Sequence, residues 1–239
     1  MSILQYFRDA DGPKFAILID PDKAGEQEID RISEMANEGK VSFFFVGGSH
    51  ITSGDVSATI TQLQRKSNIP VILFPGSVLQ IEPAADAMLF LSLISGRNPE
   101  YLIGQHVIAA PYLAKAMLET IPTGYMLMDG GKPTTASYMS NSTPLPMDKP
   151  GLAASTALAG ELLGLKLIYA DCGSGAEHTV SPEIIRAIKS RISIPLIVGG
   201  GIRSKKSAEK LLEAGADILV VGNAIEKNPT FIKEIASLF

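Results

Sequence analysis

The chain has 239 residues, 46% of them hydrophobic, which is enough for one large core, and its net charge of −4 argues against a nucleic-acid partner. Its one cysteine, Cys172, excludes an intrachain disulfide and a cysteine-based zinc site. No uncharged apolar stretch is as long as a membrane span, and the first residues lack the basic and apolar regions of a signal peptide. We therefore expect a cytoplasmic protein without stable membrane insertion.

Eight short apolar runs recur along the chain, each bounded by turn residues. They are continuous rather than alternating, which is typical of strands buried on both faces of a parallel sheet. The runs span residues 15–19, 41–46, 70–74, 87–91, 124–128, 165–170, 194–198 and 217–221. We predict that each of them forms a strand.

The segments between the runs carry helix signals. Ser181 and Ser204 each precede a helical stretch, as N-cap residues do. Gly39 closes the amphipathic stretch before it, as a C-cap glycine does. Residues 100–119 can hold one long helix, which Pro111 should kink or divide.

Eight strand–helix alternations without a break in composition predict α/β architecture: a single TIM-barrel domain, (β/α)8, over residues 1–239. A doubly wound open sheet is the alternative, because sequence alone does not show closure. Residues 75–86 are too short and too rich in proline for a helix, so we expect a loop or a single turn in place of the third helix. The polar segment 129–150 is expected to be a functional lid or disordered.

The active site of such a barrel lies at the carboxyl ends of its strands. The loops after the sixth, seventh and eighth runs are rich in glycine, so several backbone N–H groups can converge on one phosphate. The alternative is that these glycines only make tight turns. Arg203 either pairs with the phosphate or caps the next helix. The candidate phosphate-binding residues are Ser174, Gly175, Gly199, Gly200, Gly222 and Asn223.

Oxygen-bearing side chains follow other runs. Asp20 follows the first run and Ser49 follows the second, and both offer the hard ligands that Mg²⁺ prefers. The alternative for Asp20 and for Asp22 is that they cap the helix that follows. Asp171, at the end of the sixth run, is placed to accept a proton from a substrate hydroxyl. Tyr169 either hydrogen-bonds the same substrate or is a core aromatic residue.

Five motifs together give the chain a family resemblance: LIDPDK, FVGGS, IYADCGSGAEHTVSPEII, IVGGGIRS and VVGNAIEKN. With these motifs the chain resembles the geranylgeranylglyceryl phosphate synthase family, including its bacterial PcrB-like members. The PcrB-like branch has a lysine two residues before the metal-binding aspartate, where this chain has Leu18, and this favours the longer branch. The family usually has Tyr-Leu-Glu where this chain has Tyr-Ala-Asp at 169–171.

The resemblance implies a modified TIM barrel, with the third helix replaced by a loop, that acts as a Mg²⁺-dependent prenyltransferase. Its expected reaction joins a long-chain prenyl diphosphate, geranylgeranyl diphosphate above all, to the C3 hydroxyl of sn-glycerol 1-phosphate in ether-lipid synthesis, and releases diphosphate. The resemblance also implies a homo-oligomer, either a dimer or a hexamer. The missing helix and the small residues Ala84, Ala85 and Ala87 are expected to leave room for the prenyl tail.

The site residues implied by the resemblance fall into three groups. The implied metal ligands are Asp20 and Ser49, and the implied catalytic residues are Asp171 and Tyr169. The implied glycerol 1-phosphate residues are Tyr169, Ala170, Asp171, Cys172, Gly173, Ser174, Gly175, Gly199, Gly200, Gly222 and Asn223. Two other functions stay open. One is another phosphate-binding barrel enzyme, an isomerase or a synthase of small phosphorylated substrates, and the other is a non-catalytic barrel that binds phosphate or lipid.

Overall fold

Eight parallel strands form a closed barrel in a computed structural model, which describes residues 2–9 and 11–239. Each strand pairs with the next along the chain, and the last pairs with the first, so the predicted barrel is confirmed over the open sheet. The strands are β1 Lys14–Ile19, β2 Phe43–Val46, β3 Val71–Leu73, β4 Ala87–Leu93, β5 Glu119–Leu127, β6 Leu167–Asp171, β7 Leu196–Gly199 and β8 Ile218–Val221.

Helices lie between the strands, including the stretches predicted before Gly39 and after Ser181 and Ser204. They are α1 Ile3–Arg8, α2 Glu26–Glu38, α3 Val56–Lys66, α4 Gln105–Ala116, α5 Thr135–Ser140, α6 Pro150–Leu162, α7 Pro182–Lys189, α8 Lys205–Glu213, α9 Asn223–Lys227 and α10 Phe231–Ala236. Ser181 and Ser204 accept hydrogen bonds from backbone N–H groups of α7 and α8, which confirms both N-caps. Only a single 3₁₀ turn, Val78–Gln80, separates β3 from β4, so the third helix is absent as predicted.

The region around α4 differs from the prediction. A π-helical turn, Glu100–Gly104, precedes α4, and Pro111 lies inside α4 without dividing it. The chain leaves the helix at Met117 and enters β5 at Glu119, so the predicted helix is too long and the predicted strand begins too late. The start of β5 pairs with β4 and also makes a distant contact. The Glu119 carboxylate accepts hydrogen bonds from the first backbone N–H groups of α1, a partner that no local pattern reveals.

The two ends of the barrel are finished differently. At the amino end, α1 covers the opening, and Phe7 stacks on Phe43 with ring centroids 4.4 Å apart. At the carboxyl end, the polar segment 129–150 holds α5, and Leu145 pairs with Met128 just beyond β5. Access to the barrel interior is therefore from the carboxyl end. Within residues 2–9 and 11–239, no helix has both the length and the apolar character needed to cross a bilayer.

Candidate active site

Two cavities of opposite character open at the carboxyl ends of the strands. The first, the phosphate cavity, has a volume of about 1120 Å³ including the solvent at its mouth. Its lining includes Asp171, Ser174, Gly200, Gly222 and Asn223. The second, the apolar groove, has a volume of about 870 Å³ on the same measure and lies where the third helix is missing. Its lining includes Ser49, Phe74, Phe90, Tyr101, Ala109 and Tyr125.

The consecutive glycines after β7 make room for two side chains of β6. A β carbon on Gly199 would lie 2.6 Å from the Tyr169 hydroxyl, and one on Gly200 would lie 2.8 Å from Asp171 Oδ1. Gly200 also has φ +82°, which disfavours other residues. The two glycines therefore let Tyr169 and Asp171 approach the loop, in addition to making the turn.

The three glycine-rich loops come together, as the phosphate prediction requires. The Ser174 hydroxyl donates to Asn223 Oδ1 at 3.0 Å, which links the loop after β6 to the first residue of α9. Two of the predicted residues, Ala170 and Cys172, are fully buried in the layer between barrel and helices, so their side chains do not line the cavity.

Asp171 is a buried carboxylate with two hydrogen bonds. The Tyr125 hydroxyl donates to its Oδ2 at 2.7 Å, and the Gly173 backbone N–H donates to its Oδ1 at 2.8 Å. Burial raises the pKa of Asp171, and the two hydrogen bonds offset only part of that rise. The raised pKa makes the ionised carboxylate a stronger proton acceptor than an exposed aspartate.

Tyr169 belongs both to the core and to the cavity. Its ring is 1% exposed and stacks on Phe74 at 5.1 Å between centroids, while Tyr125 meets it edge-on at 5.6 Å. Burial raises the pKa of the Tyr169 hydroxyl well above its ordinary value, so the group stays a neutral hydrogen-bond donor. The two readings of Tyr169, core residue and substrate contact, are therefore compatible.

Asp20 lies at the other side of the mouth, beside the loop after β2. Its Oδ2 forms an ion pair with Lys23 at 2.7 Å, and its Oδ1 accepts the Asp22 backbone N–H at 3.1 Å. A β carbon on Gly48 would lie 3.5 Å from Asp20 Oδ1, so the chain that carries Ser49 runs close to this carboxylate. Ser49 itself lines the apolar groove.

Asp22 and Arg203 act as ties between loops rather than as caps. The Asp22 carboxylate accepts hydrogen bonds from the backbone N–H groups of residues 52–54, which hold the pKa of Asp22 well below its ordinary value. The residue before α2 is Gly25, so the helix-cap reading of Asp22 is wrong. Arg203 donates to backbone carbonyls of the loop after β6, while Ser204 caps α8, so its helix-cap reading is also wrong.

Comparison with known proteins places this chain in a family. The sequence profile of the PcrB family matches residues 9–238. The chain belongs to the PcrB family. It is 50% identical over 238 residues to a geranylgeranylglyceryl phosphate synthase of Spirosoma linguale, covering 100% of this chain and 96% of that protein. A synthase of the same name from Chitinophaga pinensis is 50% identical over 230 residues, covering 96% of this chain and 91% of that protein.

A solved structure agrees with the PcrB-family fold. It is (S)-3-O-geranylgeranylglyceryl phosphate synthase from Thermoplasma acidophilum in complex with its substrate sn-glycerol-1-phosphate. It superposes with a TM-score of 0.93 at 35% sequence identity, covering 99% of this chain and 98% of that chain. The recognition of the family from its motifs is thereby confirmed.

The oxygen donors of this PcrB-family chain fit Mg²⁺ only if water and substrate phosphate oxygens supply the remaining ligands. Within the described residues, no three His, Cys, Asp or Glu side chains stand close enough together to hold a metal ion. Mg²⁺ often binds one or two protein oxygens and completes its shell with water and phosphate oxygens. The Asp20 carboxylate and the Ser49 hydroxyl are oxygen donors of that kind, and the Lys23 ammonium competes with a metal ion for Asp20.

The apolar groove corrects one expectation and adds one residue. Ala84, Ala85 and Ala87 are not in its lining; Ala87 faces the barrel interior, while Met88 and Phe90 of β4 line the groove. Ala109 of α4 lies in the lining instead. Gln80, from the short turn after β3, binds the loops after β2 and β3 through Gly48 and Gly76.

Tyr125 was the main residue missed by sequence reasoning. It lies inside an apolar run, where an aromatic residue indicates ordinary core. Only the register of β5 on β6, which pairs Tyr125 with Tyr169, brings its hydroxyl to Asp171. A tyrosine within a buried run, whose hydroxyl needs a polar partner, was the one available signal.

Proposed function

We propose that this chain is a prenyltransferase of ether-lipid synthesis, which joins a prenyl diphosphate to the C3 hydroxyl of sn-glycerol 1-phosphate and releases diphosphate. The observation that carries the proposal is the meeting of a polar phosphate cavity with an apolar groove at Asp171 and Tyr125. One substrate of this reaction is small and anionic, and the other has a long apolar tail. The names of the PcrB-family relatives and the solved complex support the same reaction.

Each substrate has a cavity that suits its chemistry. Glycerol phosphate occupies the phosphate cavity, with its anion against the loops after β6, β7 and β8. The prenyl tail lies in the apolar groove, and its diphosphate points toward Asp20 and Ser49. This arrangement brings the C3 hydroxyl and the prenyl C1 together near Asp171 and gives the orientation that bimolecular reactions lack in water.

The reaction then needs one bond exchange and one proton transfer. The bond between C1 and the diphosphate oxygen breaks, and its electron pair leaves with the diphosphate. A lone pair of the C3 hydroxyl oxygen forms the new bond to C1, and the hydroxyl proton passes to the Asp171 carboxylate. The raised pKa of Asp171 suits this acceptance.

The proposal also includes a metal ion, an oligomeric state, a prenyl donor and a cellular location. Asp20 and Ser49 would hold Mg²⁺, which when bound supplies charge neutralisation to the departing diphosphate. A homo-oligomer, either a dimer or a hexamer, is supported by exposed apolar side chains on one helix, namely Val107, Ile108 and Tyr112 of α4. Geranylgeranyl diphosphate is the proposed donor, and the cytoplasm is the proposed location.

A transfer assay tests the proposal. Purified protein is incubated with radiolabelled sn-glycerol 1-phosphate, Mg²⁺ and a series of prenyl diphosphates of increasing length. We expect the label to move into the organic phase, with the best kcat/KM for the geranylgeranyl donor. Absence of organic label with every donor would contradict a prenyltransferase. Calorimetric binding of glycerol phosphate without turnover would then indicate a non-catalytic barrel, and conversion of the glycerol phosphate alone would indicate another barrel enzyme.

A further inference from the structure

Three aromatic rings separate the two cavities. Phe74 stacks on Tyr169 at 5.1 Å between centroids, and Tyr125 meets Phe74 edge-on at 5.9 Å and Tyr169 edge-on at 5.6 Å. Phe74 and Tyr125 line the apolar groove, whereas Tyr169 lines the phosphate cavity. The prenyl C1 must reach this junction if the tail lies in the groove and the C3 hydroxyl lies beside Asp171.

The groove offers little else that can stabilise a positive charge. Its lining residues in the described chain include no Asp, Glu, Lys or Arg. Its one histidine, His106, is buried behind Phe90, and burial lowers the pKa of His106, so the ring is neutral. A cation that forms at the junction therefore meets aromatic rings on its groove side.

Aromatic rings are suited to that charge. The face of a ring carries negative charge density and attracts cations, most strongly where water is excluded. The Tyr125 hydroxyl donates at 2.7 Å to the Asp171 carboxylate, and this hydrogen bond increases the electron density of the Tyr125 ring. An allylic C1 carries positive charge when its bond to diphosphate breaks before the bond to the hydroxyl oxygen is complete.

We propose that Phe74 and Tyr125 stabilise the positive charge that develops on the prenyl C1 during transfer. The inference rests on the proposed function, because it assigns two further residues to the same reaction. The rings form and break no bond, so the electron balance is that of the prenyl transfer. Diphosphate leaves with the bonding pair, C1 is transiently electron-poor beside the two rings, and the C3 oxygen supplies the new pair while its proton moves to Asp171.

A fluorination series at Phe74 tests the proposal with almost no change of shape. Phenylalanine analogues with one, two and three ring fluorine atoms are placed at position 74, and the single-turnover rate is measured with saturating substrates. Fluorine withdraws charge from the ring face, so the rate should fall with each added atom, by about tenfold over the series. The affinity for glycerol phosphate, measured by calorimetry, should stay unchanged. A rate that stays within twofold over the series would overturn the proposal.

Two comparisons distinguish stabilisation of the positive charge by the rings from a purely structural packing role. The same series at Phe15, which stacks on Phe239 and lines neither cavity, should leave the single-turnover rate unchanged. Tyr125→Phe keeps a ring, and at a pH where Asp171 is ionised it should keep most of the rate. Tyr125→Leu loses the ring and should lose at least tenfold. Equal rates for the Phe and Leu variants would overturn the role of Tyr125. If the unaltered enzyme forms no prenylated product, the proposed function itself fails, which a flat fluorination series in an active enzyme would not imply.

Discussion

The hydroxyl of Tyr169 occupies the space that a side chain at position 199 would need. A β carbon on Gly199 would lie 2.6 Å from that hydroxyl and 3.0 Å from the ring carbon Cε2. The ring cannot retreat easily, because Phe74 and Tyr125 pack against it. The glycine after β7 and the tyrosine of β6 thus form one fitted unit on adjacent strands.

Gly199→Ala should therefore displace Tyr169. We expect the KM for sn-glycerol 1-phosphate to rise at least about tenfold and the melting temperature to fall, since overpacking of a core costs about 1–3 kcal/mol. Steady-state kinetics and thermal melting measure the two effects. Gly151→Ala is the matched control, because a β carbon there has no neighbour within 4 Å. An unchanged KM in Gly199→Ala would contradict a substrate contact by Tyr169.

Tyr125→Phe should change the pH dependence of the reaction. The Tyr125 hydroxyl is one of two hydrogen bonds that lower the pKa of Asp171 against the effect of burial. Its loss raises that pKa further, so the proton-accepting form of Asp171 disappears at a higher pH. We expect the acid limb of the kcat/KM profile to move to higher pH. Tyr101→Phe is the control, because the Tyr101 hydroxyl lines the groove region but donates to the Met139 carbonyl. If the kcat/KM profiles of Tyr125→Phe and the unaltered protein coincide, Asp171 is not the base.

Asp22→Asn should reduce acid sensitivity of the fold. In the folded protein the pKa of Asp22 lies below its ordinary value of 3.8. The ionised carboxylate therefore stabilises the fold at pH values above 3.8, and this stabilisation is lost as the pH falls toward the pKa of the folded state. The Asn variant should melt at a lower temperature at neutral pH and should lose less between about pH 5 and pH 3. Thermal melts across that range measure the difference. If the melting temperatures of the unaltered protein and of Asp22→Asn change in parallel with pH, Asp22 does not hold the loop at residues 52–54 through its charge.

Asp20→Asn should weaken the response to Mg²⁺. Chelation by EDTA is expected to abolish turnover in the unaltered protein. The variant should need more Mg²⁺ for half-maximal activity and should lose about a hundredfold or more in turnover. Asp30→Asn is the control, since Asp30 forms an ion pair with Lys66 on the outer helices. An identical Mg²⁺ titration for both variants would refute Asp20 as a ligand.

Ala109→Leu should shorten the accepted prenyl chain. Ala109 lines the groove and has no room to turn its side chain outward, because it is 2% exposed. The added carbons take groove volume, so the ratio of kcat/KM for farnesyl over geranylgeranyl diphosphate should rise about tenfold or more. Ala110→Leu, on the exposed face of the same helix, should leave the ratio unchanged. The same ratio in both variants would exclude this part of the groove as the tail site.

Sequence reasoning succeeded where one segment contains the whole signal. Continuous apolar runs indicated the strands, Ser181 and Ser204 marked helix starts, and the proline-broken stretch after β3 indicated the missing helix. It failed where a partner lies far along the chain. The start of β5 pairs with β4 and contacts α1 through Glu119, and the pairing of β5 with β6 brings Tyr125 to Asp171. Such contacts depend on strand register, which local patterns do not determine.

The cover that α1 forms over the amino end of the barrel has a consequence for the product. Because that end is closed, a long prenyl tail cannot extend through the barrel. It can leave the barrel only sideways, through the gap left by the missing third helix. The finished lipid is then held at two places, by its phosphate at the mouth and by its hydrocarbon in the side opening. Each added isoprene unit lengthens the second attachment but not the first. We expect product departure, rather than bond formation, to become the slow step as donors grow longer.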